Sequence, residues 1–260
     1  MFNRIAPGVI IMCLAAAFPP ELATSAPSAA VAAGARANDA QPVYAVQVEG
    51  PPAHVIGSAI DMAKAADAGV SAEVLDLALT ATSCAAASGA IDAAPPTLTV
   101  IDYSLPSTEP RLWVFDLATG DLLFKELVAH GKNTGDNLAT KFSNQMDSRQ
   151  TSLGLFVTDD PYVGSNGYSL RLDGLDVGFN DRARDRAIVM HGAPYVDSQL
   201  AASQGRIGRS WGCPALRTAI AAKVIDRIRG GSVIFSYYPD QEWLQSSRFL
   251  KGCEASSSVG

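Results

Sequence analysis

Residues 190–216 read MHGAPYVDSQLAASQGRIGRSWGCPAL, and the fold turns on this stretch because it leads from one kind of secondary structure to another past two scarce residue types. It opens as the end of the apolar run AIVM at 187–190, which reads as a buried strand. After Cys213, residues Ile220, Ala221, Val224, Ile225 and Ile228 recur at helical spacing, with Gly230 as the stop. Between strand and helix lie His191, one of three histidines in the chain, and Cys213, one of four cysteines. Arg206, Arg209, Ser210, Trp211 and glycines at 192, 205, 208 and 212 accompany them. The order predicts a thiol at or just before the N-terminus of a helix, where unpaired amides stabilise a thiolate.

A thiol is mostly protonated at neutral pH, and an imidazole beside it can take the proton and return it to a leaving amine. Cys213 is therefore the candidate nucleophile and His191 the candidate base. His191 falls just past the strand, where a loop residue faces a cleft while the strand holds it rigid. Gly212 lets the backbone approach a substrate carbonyl, and the amides of Gly212 and Cys213 are candidate donors to the oxygen on which charge develops. Trp211 is expected to wall the pocket, and Ser210 to hydrogen-bond within the loop rather than compete with a thiol three residues away. The competing reading of Cys213 is a small buried hydrophobe.

Outward from this stretch, strand signals dominate. TLTVIDY starts at Thr97, RLWVFDL at Arg111, LLFKELVAH at Leu122, LGLFVT at Leu153, GYSLRL at Gly167 and SVIFSYY at Ser232. Thr119, Gly120 and Asp121 form a turn that makes a hairpin of the second and third. The expected fold is mainly β, a sandwich or barrel with flanking helices, preceded by an N-terminal helical segment over 59–94. In that segment Ser71 is the expected cap, Glu73 sits in the first turn, and Val74, Leu77, Ala78, Ala81 and Cys84 share one face. Gly89 ends it, and Pro95 and Pro96 mark the boundary.

His130 ends another strand and is either a second histidine of the same cleft or a hydrogen-bonded structural one. Asn144, in the polar loop that follows, and Arg171, on a strand, are further candidates for substrate contact, as are Arg206 and Arg209, whose guanidinium forks suit carboxylates. His130 and His191 with Asp136 or Asp173 make a conceivable zinc set, but the spacing contains no tight ligand pair, and no metal is expected. His54, beside two prolines, reads as surface.

Of 260 residues, 48% are apolar, enough for a substantial core, and 26 acidic against 20 basic residues give no electrostatic reason to bind nucleic acid. The N-terminus, MFNRIAPGVIIMCLAAAF, places Arg4 before a short apolar run and then small residues, the grammar of a secretory signal. An uncleaved membrane anchor is the alternative, though the run is short for a span. A lipid anchor on Cys13 would need small residues before it, and Ile11 and Met12 stand there. Removal of Cys13 leaves Cys84, Cys213 and Cys253. Either Cys84 pairs with Cys253 and spares Cys213, or Cys84 packs on its helix stripe and Cys253 lies in a tail.

The order strand, His-Gly, loop, Ser-x-Gly-Cys resembles the catalytic core of the bacterial L,D-transpeptidases. The likeness is greatest to the branch whose cysteine motif reads RSWGCPAL, here 209–216, and extends from about residue 98 to 240 through VAHGKNTGDNLATKFSN and GYSLRLDGL. A better-known branch has a second histidine where Trp211 stands and an arginine where Ala215 stands. The resemblance implies a catalytic domain over 95–240, between a signal and processing region at 1–37, a linker at 38–58, the helical segment and a tail at 241–260. It also implies that the carbonyl of Gly192 orients His191, and that the donor is a peptidoglycan stem peptide acylating Cys213, with no cofactor. Such a protein is exported to the cell envelope or periplasm, with no stable membrane span once mature. A cysteine hydrolase of the wall and a non-catalytic wall-binding module are the alternatives. The oligomeric state is not legible, and a monomer is the default.

Overall fold

The computed structural model describes residues 56–251 and Cys253. The expected signal region, Cys13, His54 and the linker up to residue 55 lie outside the described residues.

Two helices come first. α1, Met62–Asp67, is capped by Asp61, and α2, Ala72–Ala87, by Ser71, whose Oγ accepts from the Val74 amide at 3.4 Å. α2 buries Val74, Leu75, Ala78, Ala81 and Cys84, while Leu77 is half-buried at the edge of that face. Past its cap at Ser88 the chain turns through Gly89 at φ 71°, a backbone conformation that favours glycine. Cys84 is joined to Cys253 by a disulfide, with the Cα atoms 5.0 Å apart, and Cys213 is free.

Among the described residues nine strands then form a single, nearly closed, barrel-like sheet. They are β1 Thr97–Asp102, β2 Leu112–Asp116, β3 Leu122–Glu126, β4 Val128–Ala129, β5 Gly154–Gly164, β6 Gly167–Gly174, β7 Val189–Ala193, β8 Ala215–Arg217 and β9 Val233–Tyr237. Their order is β3-β2-β1-β9-β5-β6-β7-β8-β4. Most neighbours are antiparallel; β1 with β9 and β7 with β8 are the parallel pairs. Alternation of side chains sorts each strand between two cores. Leu98, Val100, Trp113, Phe115, Leu155, Val233 and Phe235 face the core that α2 covers. Ile101, Leu112, Val114, Phe156 and Ile234 face the other, which is closed by Ala221, Val224, Ile225 and Ile228 of α4, Thr218–Ile228.

Two expectations are corrected here: His191, expected just past its strand, lies within β7, and the helix after Cys213 starts later than expected. Residues 215–217 extend as β8 to pair with β7, so α4 begins only at Thr218 and Cys213 does not sit at its N-terminus. The start of that helix is therefore separated from the thiol by β8. Two short helices carried too little apolar periodicity to be expected: α3, Ser198–Gln204, capped by Asp197, and α5, Gln241–Ser246, capped by Asp240. Trp243 of α5 and Phe249 beyond it are fully buried against the first core. Among the described residues no helix is long and apolar enough to cross a membrane.

Candidate active site

The parallel pairing of β7 with β8 puts His191 opposite Ala215, and so brings Cys213, two residues before Ala215, alongside the histidine strand. Both side chains line a cavity of about 540 Å³, together with Gly192, Tyr195, Arg209, Ser210 and Trp211. Ser165 and Asn166, the tip of the hairpin joining β5 to β6, complete the wall. Sequence reasoning missed these last two and Tyr195. The Ser-Asn-Gly turn between two strand runs announced a hairpin, but nothing local said that its tip reaches this cavity.

Cys213 is 8% exposed, and its Sγ–H points to the carbonyl of Ala187 at 3.7 Å. Ala187 has φ 53°, a left-handed conformation uncommon outside glycine, held by its amide bonding Arg184 O and by the Ile188 amide bonding Ala183 O. That turn aims the carbonyl at the sulfur. Burial raises the pKa of the thiol, against the opposing pull of the Val189 amide, the Arg186 charge and its own amide. His191 is 5% exposed, and burial lowers its pKa. Its Nδ1 lies 3.0 Å from Gly192 O; the carbonyl accepts, so Nδ1 carries the proton and Nε2 is the basic nitrogen. Both shifts favour the uncharged forms, a thiol and an imidazole. Gly192 sits in tight packing, since a Cβ there would meet Ala221 Cβ at 3.0 Å on α4.

The turn before Cys213 is tightly bonded. Gly212 has φ 126°, and a Cβ there would stand 2.8 Å from Gln150 O and 2.9 Å from Ile188 Cδ1, so only glycine fits. Its amide donates to Ser210 Oγ at 3.1 Å, and Ser210 Oγ donates to Cys213 O at 2.6 Å. The Gly212 amide, expected as an oxyanion donor, is thus already engaged, whereas the Cys213 amide lies against its own sulfur.

The remaining candidates divide. Arg209 reaches the cavity, anchored through Nη1 to Gly135 O at 2.8 Å and to Asp136 at 3.4 Å. Arg206 shares Asp136 at 2.9 Å but does not line the cavity. Trp211 is 71% exposed, with the Arg149 guanidinium 4.8 Å from its ring centroid. Asn144 is held away by Asp181 at 2.7 Å and the Arg182 amide at 3.2 Å. Arg171 lies over the Tyr162 ring at 4.3 Å and lines a separate cavity of about 220 Å³.

His130 is not at the cavity. It is 1% exposed, and its Nδ1 accepts from Arg111 Nη2 at 2.8 Å, which leaves the proton on Nε2. Arg111 is wholly buried and bonded to Val128 O and Leu105 O. Burial first, and the adjacent guanidinium second, pull His130 down to about 4. Only its backbone serves the site: His130 O accepts from the Ser210 amide at 2.9 Å, and the Lys132 amide donates to Ser210 O at 2.7 Å. The chain of events is packing, then loop position, then cavity shape.

The L,D-transpeptidase catalytic domain matches residues 66–237, two thirds of the chain, and the protein belongs to that family. No curated protein matches it in sequence. Among solved structures it is similar to an L,D-transpeptidase from Mycobacterium smegmatis, with 19% identity, a TM-score of 0.35 and coverage of 56% of this chain and 60% of that one. It is similar also to an L,D-transpeptidase from Xylanimonas cellulosilytica, at 15%, 0.32, 55% and 61%. A third is the helical cell shape determining protein Pgp2 from Campylobacter jejuni, at 14%, 0.35, 56% and 48%. The match spans between about half and three fifths of the length of these neighbours.

Proposed function

We propose that the protein is a cysteine acyltransferase that remodels peptidoglycan stem peptides. The observation that carries the proposal is that the one free cysteine among the described residues and a histidine with a fixed tautomer line one cavity.

His191 Nε2 accepts the proton of Cys213 as Sγ attacks the amide carbonyl after the diamino acid of a tetrapeptide stem. The Cys213 amide, beside the sulfur, is the donor assigned to the oxygen on which charge gathers. Collapse breaks the C–N bond, His191 returns the proton to the departing amine of D-alanine, and a thioester remains on Sγ. An amine of a neighbouring stem, deprotonated by the same Nε2, then attacks the thioester and forms the cross-link, releasing the thiol. Gly192 O steadies the imidazolium that exists between the two transfers. Burial suits this sequence, because a neutral pair exchanges one proton and never has to sustain two separated charges at rest. Arg209, with one nitrogen anchored and the guanidinium at the cavity, supplies the positive charge for a stem carboxylate. Export is part of the proposal, supported by the N-terminal signal grammar and by the Cys84–Cys253 disulfide, which fits an oxidising compartment.

Purified protein incubated with tetrapeptide muropeptides, with products read by mass spectrometry, tests this directly. Cross-linked dimers are expected. Trimmed monomers alone would make it a hydrolase using the same pair, and unchanged substrate would leave only a wall-binding role.

A further inference from the structure

Arg186 is a firmly anchored cation near the nucleophile to which the mechanism above gives no part. It stands in the turn that leads into β7, half-buried, and its terminal nitrogens are spent on neutral acceptors. Nη1 donates to Ser143 O at 2.7 Å and Ser152 Oγ at 2.5 Å, and Nη2 to Gln150 O at 2.7 Å and Ser148 Oγ at 3.0 Å. The charges that act on it are Arg182, which repels it, and a Cys213 thiolate, which attracts it; no carboxylate pairs with it among the described residues.

All four acceptors lie in the loop 143–152, and that loop is packed on the nucleophile's turn. Gln150 O and Arg186 Nη2 stand 2.8 Å and 3.5 Å from where a Gly212 Cβ would be, and Thr151 Oγ1 donates to Gly212 O at 3.4 Å. The loop also holds two of the three left-handed residues that are not glycine among the described residues, Asp147 at φ 55° and Arg149 at φ 54°. A loop with such strain keeps its shape only where its surroundings over-determine it. A planar fork that binds four acceptors does so, and an ammonium on a flexible stem does not.

We infer that Arg186 is a positioning residue for the proposed reaction: it fastens loop 143–152 against the Gly212–Cys213 turn and sets an unpaired positive charge near the sulfur, favouring the thiolate as it forms. The inference rests on the reading of Cys213 as nucleophile. The other titratable groups acting on the thiol's surroundings are His191 and Tyr195 at the cavity and Tyr103 in the core. Arg186 also lines a cavity of about 230 Å³ with Asp147, Arg149, Asp185 and Trp211.

The test is the pH profile of Cys213 alkylation by iodoacetamide, localised by digestion, in the full chain and in Arg186→Gln and Arg186→Lys. Arg186→Gln is expected to move the midpoint upward and slow alkylation about three- to tenfold at about pH 8. Arg186→Lys restores most of the midpoint but not the turnover on stem peptides. An unchanged midpoint in folded Arg186→Gln overturns the inference. Should that variant fail to fold, parent-level turnover in Arg186→Lys overturns it equally. Alkylation is read without any turnover, so an unsubstituted protein that alkylates normally yet processes no stem peptide counts against the proposed function and not against Arg186.

Discussion

His130 and His191 look alike in sequence: each follows an apolar strand and precedes a glycine. The structure gives their rings different surroundings. His191 borrows a carbonyl from its own neighbour and lines the cavity of about 540 Å³. His130 is sealed in by Arg111, which comes from the strand region 19 residues earlier, and it shapes the cysteine loop through its backbone alone. The two are thus distinguished by what surrounds each ring, which is a property of the tertiary structure.

The widest separation between the two should appear on removing each imidazole. His191→Gln is expected to cut turnover by about 10²–10⁴, the usual worth of a positioned acid–base, and to leave the melting temperature nearly unchanged. His130→Gln should do the reverse, costing about 1–3 kcal/mol of stability by leaving a donor of Arg111 unmatched, with a far smaller loss of rate. Steady-state kinetics and thermal denaturation on both variants check this. Equal losses of rate would erase the distinction.

Acid separates them next. His130 is held neutral, with its pKa pulled down to about 4, so the unfolded chain binds a proton there more readily than the folded one. Its contribution is therefore complete above the ordinary imidazole range and drains away as the pH falls toward about 4, amounting to on the order of 3 kcal/mol. Urea denaturation from neutral to acid pH should show this slope, and His130→Gln should flatten it. For His191 the same direction of shift acts on rate: the imidazole stays a base below the ordinary range, so the acid limb of turnover should fall lower in pH than that of an exposed histidine. An acid limb above that range would contradict the neutral pair.

The arginines give the finest comparison. Arg209→Gln is expected to weaken stem binding about tenfold, the scale of one charge-assisted hydrogen bond, mainly in KM. Arg206→Gln, acting only through the shared Asp136, should change KM about two- to threefold. Asn144→Ala and Arg171→Gln should leave KM unmoved, since neither side chain lines the cavity.

Much of the fold was legible before any coordinates. Apolar runs marked seven strand regions because the two cores lie on opposite faces of one sheet, and Ser71 and Gly89 marked the limits of α2. β4 and β8, of two and three residues, were illegible as separate strands because pairing, not composition, makes them strands. α3 buries only Ala201 and so carried no apolar stripe, although Asp197 and Gly205 framed it. At the site, Cys213 and His191 stood out by scarcity and spacing. Arg186 did not, because its four acceptors lie some forty positions away in a polar loop that no local pattern ties to β7.

The account comes down to whether the Cys213 sulfur takes up an acyl group. Intact mass after brief exposure to a tetrapeptide stem, with the adduct localised by digestion, measures that. The expected result is a gain equal to the stem less its terminal D-alanine, on Cys213, absent in Cys213→Ser. An adduct on another residue, or one that persists in Cys213→Ser, would contradict it.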